Sequence, residues 1–353
     1  MTDWITLRPA FVVAAFYGVI VVALLASHAW DPRFFATVGP QWERHDPGLR
    51  KQGDGRIYYE FASDPVETAA RRARFRTARI LYPAVAHVLA LGRASLVGWT
   101  LLLVNVLSIV LGTAILQRLL ERRGLPGWAA LGYGLWGGLG VALLHGTAEP
   151  VAYLCVLAGL AAQDRGRPML AGMAYLGGLL GRETTGALAA PYLLAGRGAR
   201  PAVALGVAAA WVVWLAVVAV AGIGPLLQPG IGLRLPLVSY SATRWLDLPP
   251  TLLFLVLPAL AVLGWAVGAL RVRPADASVW AAGVNALLVV WLPPRTTELF
   301  WHGGRLSTGL VAATLVCVPL AISAPRLWRT LTLVFATSAL WTLAIAARYL
   351  FWE

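Results

Sequence analysis

Charged residues are scarce in this chain, and lysine is almost missing. Only 13% of the 353 residues are charged, and Lys51 is the single lysine among 29 basic residues. A soluble domain carries about 25% charged residues. The low charge, a hydrophobic content of 59% and a mean hydropathy of +0.71 therefore exclude an ordinary soluble protein.

Cysteine is also scarce. Cys155 and Cys317 lie inside apolar runs, and neither has a second ligand at a spacing typical of metal sites. We interpret both as packing residues. The first apolar run has no small-residue cleavage site after a short core, which predicts a retained membrane segment and not a signal peptide.

The net charge of +13 comes from arginines that are spread between apolar runs. A nucleic-acid partner is not expected, because such a partner requires the basic residues to form one face. Anionic lipid headgroups and phosphates are the expected counter-charges.

The repeated apolar runs predict an all-α, polytopic transmembrane protein in a lipid bilayer, since a spanning helix needs about 20 apolar residues. No repeat of fixed period and no second polar domain occurs, so we treat residues 1–353 as one transmembrane domain. We predict about eleven spans, at 9–29, 96–117, 127–147, 149–163, 168–181, 185–196, 201–222, 250–270, 277–292, 306–323 and 328–350.

A polar segment, 30–79, follows the first span, and the apolar stretch after it, 80–92, is too short to cross comfortably. If 80–92 lies on the surface or re-enters, the later short arginine loops fall on the same side as Arg8, which the positive-inside rule assigns to the cytoplasm. If it crosses, Arg8 lies opposite them. We therefore predict that 30–95 is an extracytoplasmic loop with interfacial or re-entrant helices. The arginines of the predicted cytoplasmic loops are Arg118, Arg122, Arg123, Arg165, Arg167, Arg197, Arg200, Arg271, Arg273, Arg326 and Arg329.

Ionisable residues at the ends of these runs gather on the predicted outer face. Charged groups at membrane depth are costly and usually face a cavity or a partner. We take Asp54 as the candidate catalytic residue, and as candidate substrate-binding residues Arg56, Tyr58, Arg79, Glu149, Arg182, Glu183, His302 and Arg305.

Each candidate also has a structural interpretation. Asp54 between two glycines is either a general base or a loop residue that closes an Asx turn. Glu149 either faces a cavity or stabilises the start of the next helix. Arg182 and Glu183 form either an internal ion pair or a phosphate-binding arginine steadied by an acid. Arg305 either holds a phosphate or extends to lipid headgroups.

Two further features lie on the same predicted face. His145 alone is interpreted as an interior histidine. An alternating run of arginines predicts an amphipathic helix on anionic lipid, with Arg79 as the member most suited to reach a substrate. The run consists of Arg71, Arg72, Arg74, Arg76 and Arg79.

Four short elements resemble a bacterial branch of the GT-C-type membrane glycosyltransferases over roughly residues 10–200. Arg56 stands where that branch usually has glutamine, which predicts a guanidinium beside the Asp54 carboxylate. The matching elements are Gly53-Asp54-Gly55-Arg56-Ile57-Tyr58-Tyr59, Arg79-Ile80-Leu81-Tyr82-Pro83, Thr147-Ala148-Glu149-Pro150 and Arg182-Glu183-Thr184.

The resemblance implies an inverting transferase of the bacterial inner membrane with its active site on the extracytoplasmic face. Its donor would be a polyprenyl-phosphate-linked sugar, with a mannose-like hexose expected, and its acceptor a glycan, lipid or protein. Asp54 would act as the base. No cofactor is expected with certainty, although some relatives use a divalent metal, Mg or Mn, which Asp54 with Glu149 or Glu183 could ligate.

Two other classes stay open on the sequence alone. A transporter or flippase for a lipid-linked or anionic substrate would also gather charges in a membrane cavity, although such proteins favour symmetric halves, which this chain lacks. A non-catalytic assembly scaffold would use the polar loop as a docking surface.

Overall fold

A computed structural model describes residues 8–36, 54–71, 78–195, 200–220 and 236–351 of the protein. Every regular element among these residues is a helix. The predicted all-α class is therefore confirmed for this part of the chain. Gly53, the arginines of 72–77 and Arg197 lie outside the described residues.

Five helices are long and apolar enough to cross a bilayer, and one bent pair would make a sixth. Three other apolar helices have 14 or 15 residues, which is short of the roughly 20 that a straight span needs. These features identify a helical membrane protein, whereas the count of eleven spans stays a prediction. The long helices are Pro9–Ser27, Ala94–Arg122, Pro201–Val220, Leu248–Val272 and Pro325–Phe351, the pair is Gly127–Gly134 with Gly137–Leu144, and the shorter helices are Glu149–Gln163, Pro168–Gly181 and Ala277–Val290.

Several of the predicted spans are interrupted helices. The bent pair turns by 45°, and Pro191 lies inside a nine-residue helix where the sequence predicts the span 185–196. Two of the long helices are irregular inside: Leu248–Val272 consists of Leu248–Thr251, the π-helical Leu252–Val256 and Leu257–Val272, and Pro325–Phe351 consists of Pro325–Thr337 and Ala339–Phe351. The short helices of the other interrupted spans are Gly186–Leu194, Phe300–Leu306, Thr308–Val316 and Val318–Ser323.

Large apolar side chains cover much of the outer surface of the helices. A soluble protein rarely exposes apolar patches of this extent, so the surface fits a lipid bilayer. Examples with more than half of the side chain exposed are Val19, Met173, Leu205, Val213 and Leu340.

Close packing in the interior depends on glycine. A Cβ atom on Gly138 would overlap the Gly304 carbonyl oxygen, and one on Gly140 would overlap the Thr342 side chain. The Trp136 indole Nε1 donates to the same Gly304 oxygen over 3.0 Å. The helix Gly137–Leu144 therefore fixes the backbone just before Arg305.

The polar segment after the first helix contributes short helices that pack near the end of that helix. Two hydrogen bonds hold the nine-residue helix Leu81–Leu89 against the first turns of Ala94–Arg122. The Tyr82 hydroxyl donates to the Leu101 carbonyl and the Thr100 hydroxyl donates to the Ala86 carbonyl, each over 3.0 Å. The remaining short elements are Pro32–Ala36, Asp54–Ser63, Pro65–Arg71, Glu183–Thr185, Val238–Ala242 and Pro294–Thr297.

The chain directions place the candidate residues at one end of the helices. Glu149 begins one helix, whereas Arg182 directly follows the end of the next one, Pro168–Gly181. The start of Ala94–Arg122 lies at the same end, because Gly98 packs against Pro32, and Gly146, three residues before Glu149, packs against Phe35 and Ala36 in the same short helix. The arginines at the other ends of these helices therefore lie on the opposite side of the helical layer.

Candidate functional site

Asp54 is the first residue of the helix Asp54–Ser63, and a backbone contact that only glycine permits positions it. A Cβ atom on Gly55 would overlap the carbonyl oxygen of His145. Gly146 follows His145 directly, and its φ of +57° forms the turn that leads to Glu149. Asp54 is thereby held against the turn that leads into Glu149.

Arg305 joins the two acidic residues. Its Nη1 atom lies 3.7 Å from Asp54 Oδ2 and 3.9 Å from Glu149 Oε1. The side chains of Asp54 and Arg305 are each 10% exposed. These distances are long for direct hydrogen bonds, so Arg305 balances both charges without being locked to either carboxylate.

Glu149 and Arg182 form a fully enclosed ion pair. Arg182 Nη1 lies 2.7 Å from Glu149 Oε1, and the two side chains are 5% and 0% exposed. The 2.7 Å contact lets each group offset the charge of the other. The guanidinium nitrogens of Arg182 that this contact does not use are donors that a polar ligand could engage.

Glu183 turns away from its neighbour Arg182 and binds Arg79 instead. Arg79 donates from Nε to Glu183 Oε2 over 2.9 Å and from Nη2 to Oε1 over 2.6 Å. Burial would raise the pKa of the Glu183 carboxyl, but Arg79 and Arg182 outweigh it and lower this pKa to about 2. Glu183 is therefore an ionised partner of Arg79 at neutral pH.

Tyr58 is buried beside this charged cluster. Its ring meets that of Tyr82 edge-on, with centroids 5.6 Å apart. Within the described part of the chain its hydroxyl has no hydrogen-bond partner. A lone buried hydroxyl next to charged groups is a second place where a polar substrate can bind.

Arg56 lies on a different side of the same helix. Its Nε donates to Glu60 Oε1 over 2.9 Å, one turn further along, and its side chain is 41% exposed. Positions 54 and 56 differ by about 200° around a helix, which separates the two side chains. Glu60 is thus a direct partner of this guanidinium, and its expected pairing with Asp54 stays a prediction.

His302 and His145 both lie close to Arg305. Arg305 Nη2 lies 3.2 Å from His302 Nδ1. Tyr349 Oη lies 3.2 Å from His145 Nε2, and the Trp301 ring centroid is 5.6 Å from that of His145. Sequence reasoning missed Tyr349, because nothing distinguishes a tyrosine near the end of an apolar run from an ordinary interfacial one.

A divalent metal does not fit these carboxylates as they are placed. In the described ranges no group of three His, Cys, Asp or Glu side chains converges as a ligand set. Asp54 and Glu149 share Arg305, and a cation between them would compete with its guanidinium. Mg or Mn therefore stays a prediction from the resemblance alone, and the proposed reaction contains no metal step.

The site thus combines a carboxylate that is 10% exposed, a fully buried carboxylate and two guanidinium groups. Asp54 can accept a proton, because a carboxylate near neutral pH is a common general base. Arg305 and Arg182 can hold a phosphate through charge-assisted hydrogen bonds. The ends of several helices and a buried tyrosine supply an enclosed setting in which these charges act strongly.

Replacing Gly55 with alanine is expected to displace Asp54. The added methyl group would meet a backbone oxygen that cannot rotate away, so we expect a cost of about 1–3 kcal/mol and a loss of most activity. Gly18→Ala is the matched control, because nothing lies within 4 Å of a Cβ at that helical position. Thermal unfolding in detergent measures both variants, and equal melting temperatures would contradict the packing argument.

No protein-family model, no curated protein and no solved structure matches this chain. The resemblance to GT-C-type glycosyltransferases therefore stays a prediction that depends on the motif residues.

Proposed function

We propose that the chain is a membrane glycosyltransferase that transfers a hexose from a polyprenyl-phosphate donor to an extracytoplasmic acceptor, with inversion at the anomeric carbon. The observation that carries the proposal is the contact of Arg305 with both Asp54 and Glu149 in one enclosed cluster. A displacement at a sugar phosphate needs a base on one side and positive charge on the leaving phosphate, and this cluster offers both.

In the proposed reaction the acceptor hydroxyl oxygen attacks the anomeric carbon of the donor. The bond from that carbon to the phosphate oxygen breaks, and its electron pair leaves with the polyprenyl phosphate. Asp54 takes the hydroxyl proton as the new glycosidic bond forms. Arg305 and Arg182 stabilise the charge that grows on the departing phosphate.

Arg305 has a second role in the proposed reaction. At 3.7 Å its guanidinium offsets the negative charge of Asp54. A donor phosphate carries charge that attracts the guanidinium away from Asp54, because guanidinium groups bind phosphate in a bidentate way. Donor binding would then release the carboxylate to accept a proton, so the base is activated only when a donor is present.

The test is a transfer assay with purified protein, a radiolabelled polyprenyl-phosphate hexose and an acceptor lipid or glycan extract. A covalent radiolabelled product separable from the donor supports the proposal. The same donor in liposomes tests the alternative of a transporter or flippase. Movement of intact donor across the bilayer without any covalent product would overturn the enzyme and favour transport.

Cysteine labelling should place the site on the outer side. Val66→Cys follows the Asp54 helix at a position that is 81% exposed, and Arg122→Cys lies at the far end of Ala94–Arg122. In intact cells an impermeant thiol reagent should label the first variant only, and permeabilised cells should label both. Labelling of both from outside, or of Arg122→Cys alone, would contradict the proposed orientation.

A further inference from the structure

A cavity of about 180 Å³ lies at the end of the helices opposite Asp54. It is open to the surface and lies between Ala94–Arg122, Glu149–Gln163 and the start of Pro168–Gly181, and its arginines are exposed. The helix that starts at Glu149 has 15 residues, so its two ends lie about 22 Å apart. The cavity is therefore separate from the candidate site and lies at the end that the sequence predicts to be cytoplasmic.

Four arginines line this cavity: Arg118, Arg122, Arg165 and Arg167. No carboxylate among the described residues pairs with any of them. Their neighbour Arg123 is different, because its Nη2 atom lies 3.0 Å from Asp164. The cavity thus concentrates positive charge that no carboxylate in the described ranges pairs with, which favours an anionic ligand.

The remaining wall is apolar and continues onto the lipid-facing surface. Ile115 and Leu170 line the cavity, and Leu170 is 51% exposed. On the helix of Ile115, Leu111, Leu107 and Leu103 follow at steps of four residues towards its start, each between 45% and 49% exposed. Positions at this spacing share one helical face, so an apolar track leads directly to Arg118 and Arg122.

We infer that this arginine pocket binds the phosphate of an anionic phospholipid headgroup, whose acyl chains lie along the face formed by Leu103, Leu107 and Leu111. Basic pockets between membrane helices on the cytoplasmic side have the chemistry for such headgroups. A free phosphate would use the same arginines but would gain nothing from the leucines. The inference does not depend on the proposed transferase activity.

The experiment uses native mass spectrometry of the purified full chain with equal amounts of phosphatidylglycerol and phosphatidylcholine. Wild type should retain phosphatidylglycerol preferentially. The variant with all four pocket arginines changed to glutamine should retain at least about tenfold less, since each basic group near anionic lipid contributes roughly fivefold. The control variant carries Arg271→Gln, Arg273→Gln, Arg326→Gln and Arg329→Gln, which removes the same charge elsewhere.

Retention of phosphatidylglycerol by the control variant supports the pocket. Equal loss in both variants, or no loss in either, would overturn it. If the fourfold pocket variant melts well below wild type, Arg118→Gln with Arg165→Gln replaces it, with at least a threefold loss expected and no loss counted as refutation. In a competition arm, 10 mM inorganic phosphate should leave lipid retention intact. Displacement of the lipid by phosphate would assign the pocket to a soluble anion and overturn the lipid inference.

Discussion

Asp54→Asn is expected to lower the rate of sugar transfer by about 10²–10⁴-fold, the usual contribution of a positioned general base. Asparagine keeps the size of the side chain and its place beside Arg305, but it cannot take the acceptor proton. The loss should therefore fall on kcat, with little change in KM for the donor. Initial rates at saturating donor and acceptor measure this directly.

Asp64→Asn is the matched control for that variant. Asp64 is exposed, lies ten positions further on in the same polar segment, and accepts a hydrogen bond from the Glu67 backbone N–H over 2.9 Å. Asparagine caps a helix about as well as aspartate, so this variant should keep wild-type activity and stability. If Asp54→Asn retains more than half of the wild-type rate while folded, Asp54 is not the base and the reaction scheme is wrong.

Part of the candidate cluster follows from the sequence, because charge is expensive inside an apolar chain. Glu149, Arg182 and Arg305 interrupt apolar runs, and alternating chain directions bring their positions to one end of the helices. The structure places all three within one cluster with Asp54. Hydropathy and charge were sufficient for that step.

The pairing inside the cluster could not be predicted from sequence neighbours. Arg182 and Glu183 are adjacent, yet Arg182 binds Glu149 and Glu183 binds Arg79. Arg182 has an extended backbone, with φ of −162° and ψ of 125°, between two helical segments. Successive side chains on extended backbone point in opposite directions, so an ion pair between these two was geometrically unfavourable.

The helix boundaries show the same limit. Composition predicted an apolar run at 306–323, whereas the structure divides that region at Ser307 and Cys317. The break at Cys317 comes just before Pro319, which has no N–H to continue the preceding helix, whereas hydropathy gives no signal for the break at Ser307. Sequence therefore predicts that an apolar segment exists more reliably than it predicts the internal shape of that segment.

Glu149→Gln is expected to destabilise the protein by about 3–5 kcal/mol, because removal of one partner leaves the other charge buried and unpaired. Arg182 is 5% exposed, so water cannot replace the lost carboxylate. Reversible denaturant unfolding in detergent measures the change in the free energy of unfolding. Glu121→Gln is the matched control: Glu121 is exposed and accepts from Gln117 over 2.8 Å, so its variant should change stability by less than about 0.5 kcal/mol.

The double variant Glu149→Gln with Arg182→Met separates loss of charge from loss of packing. Methionine fills much of the volume of arginine without a charge, so the double variant should recover at least half of the stability that Glu149→Gln loses. Additive losses in the double variant would mean that the two side chains act independently. In that case the 2.7 Å contact contributes no coupling, and Arg305 is the partner that Glu149 stabilises.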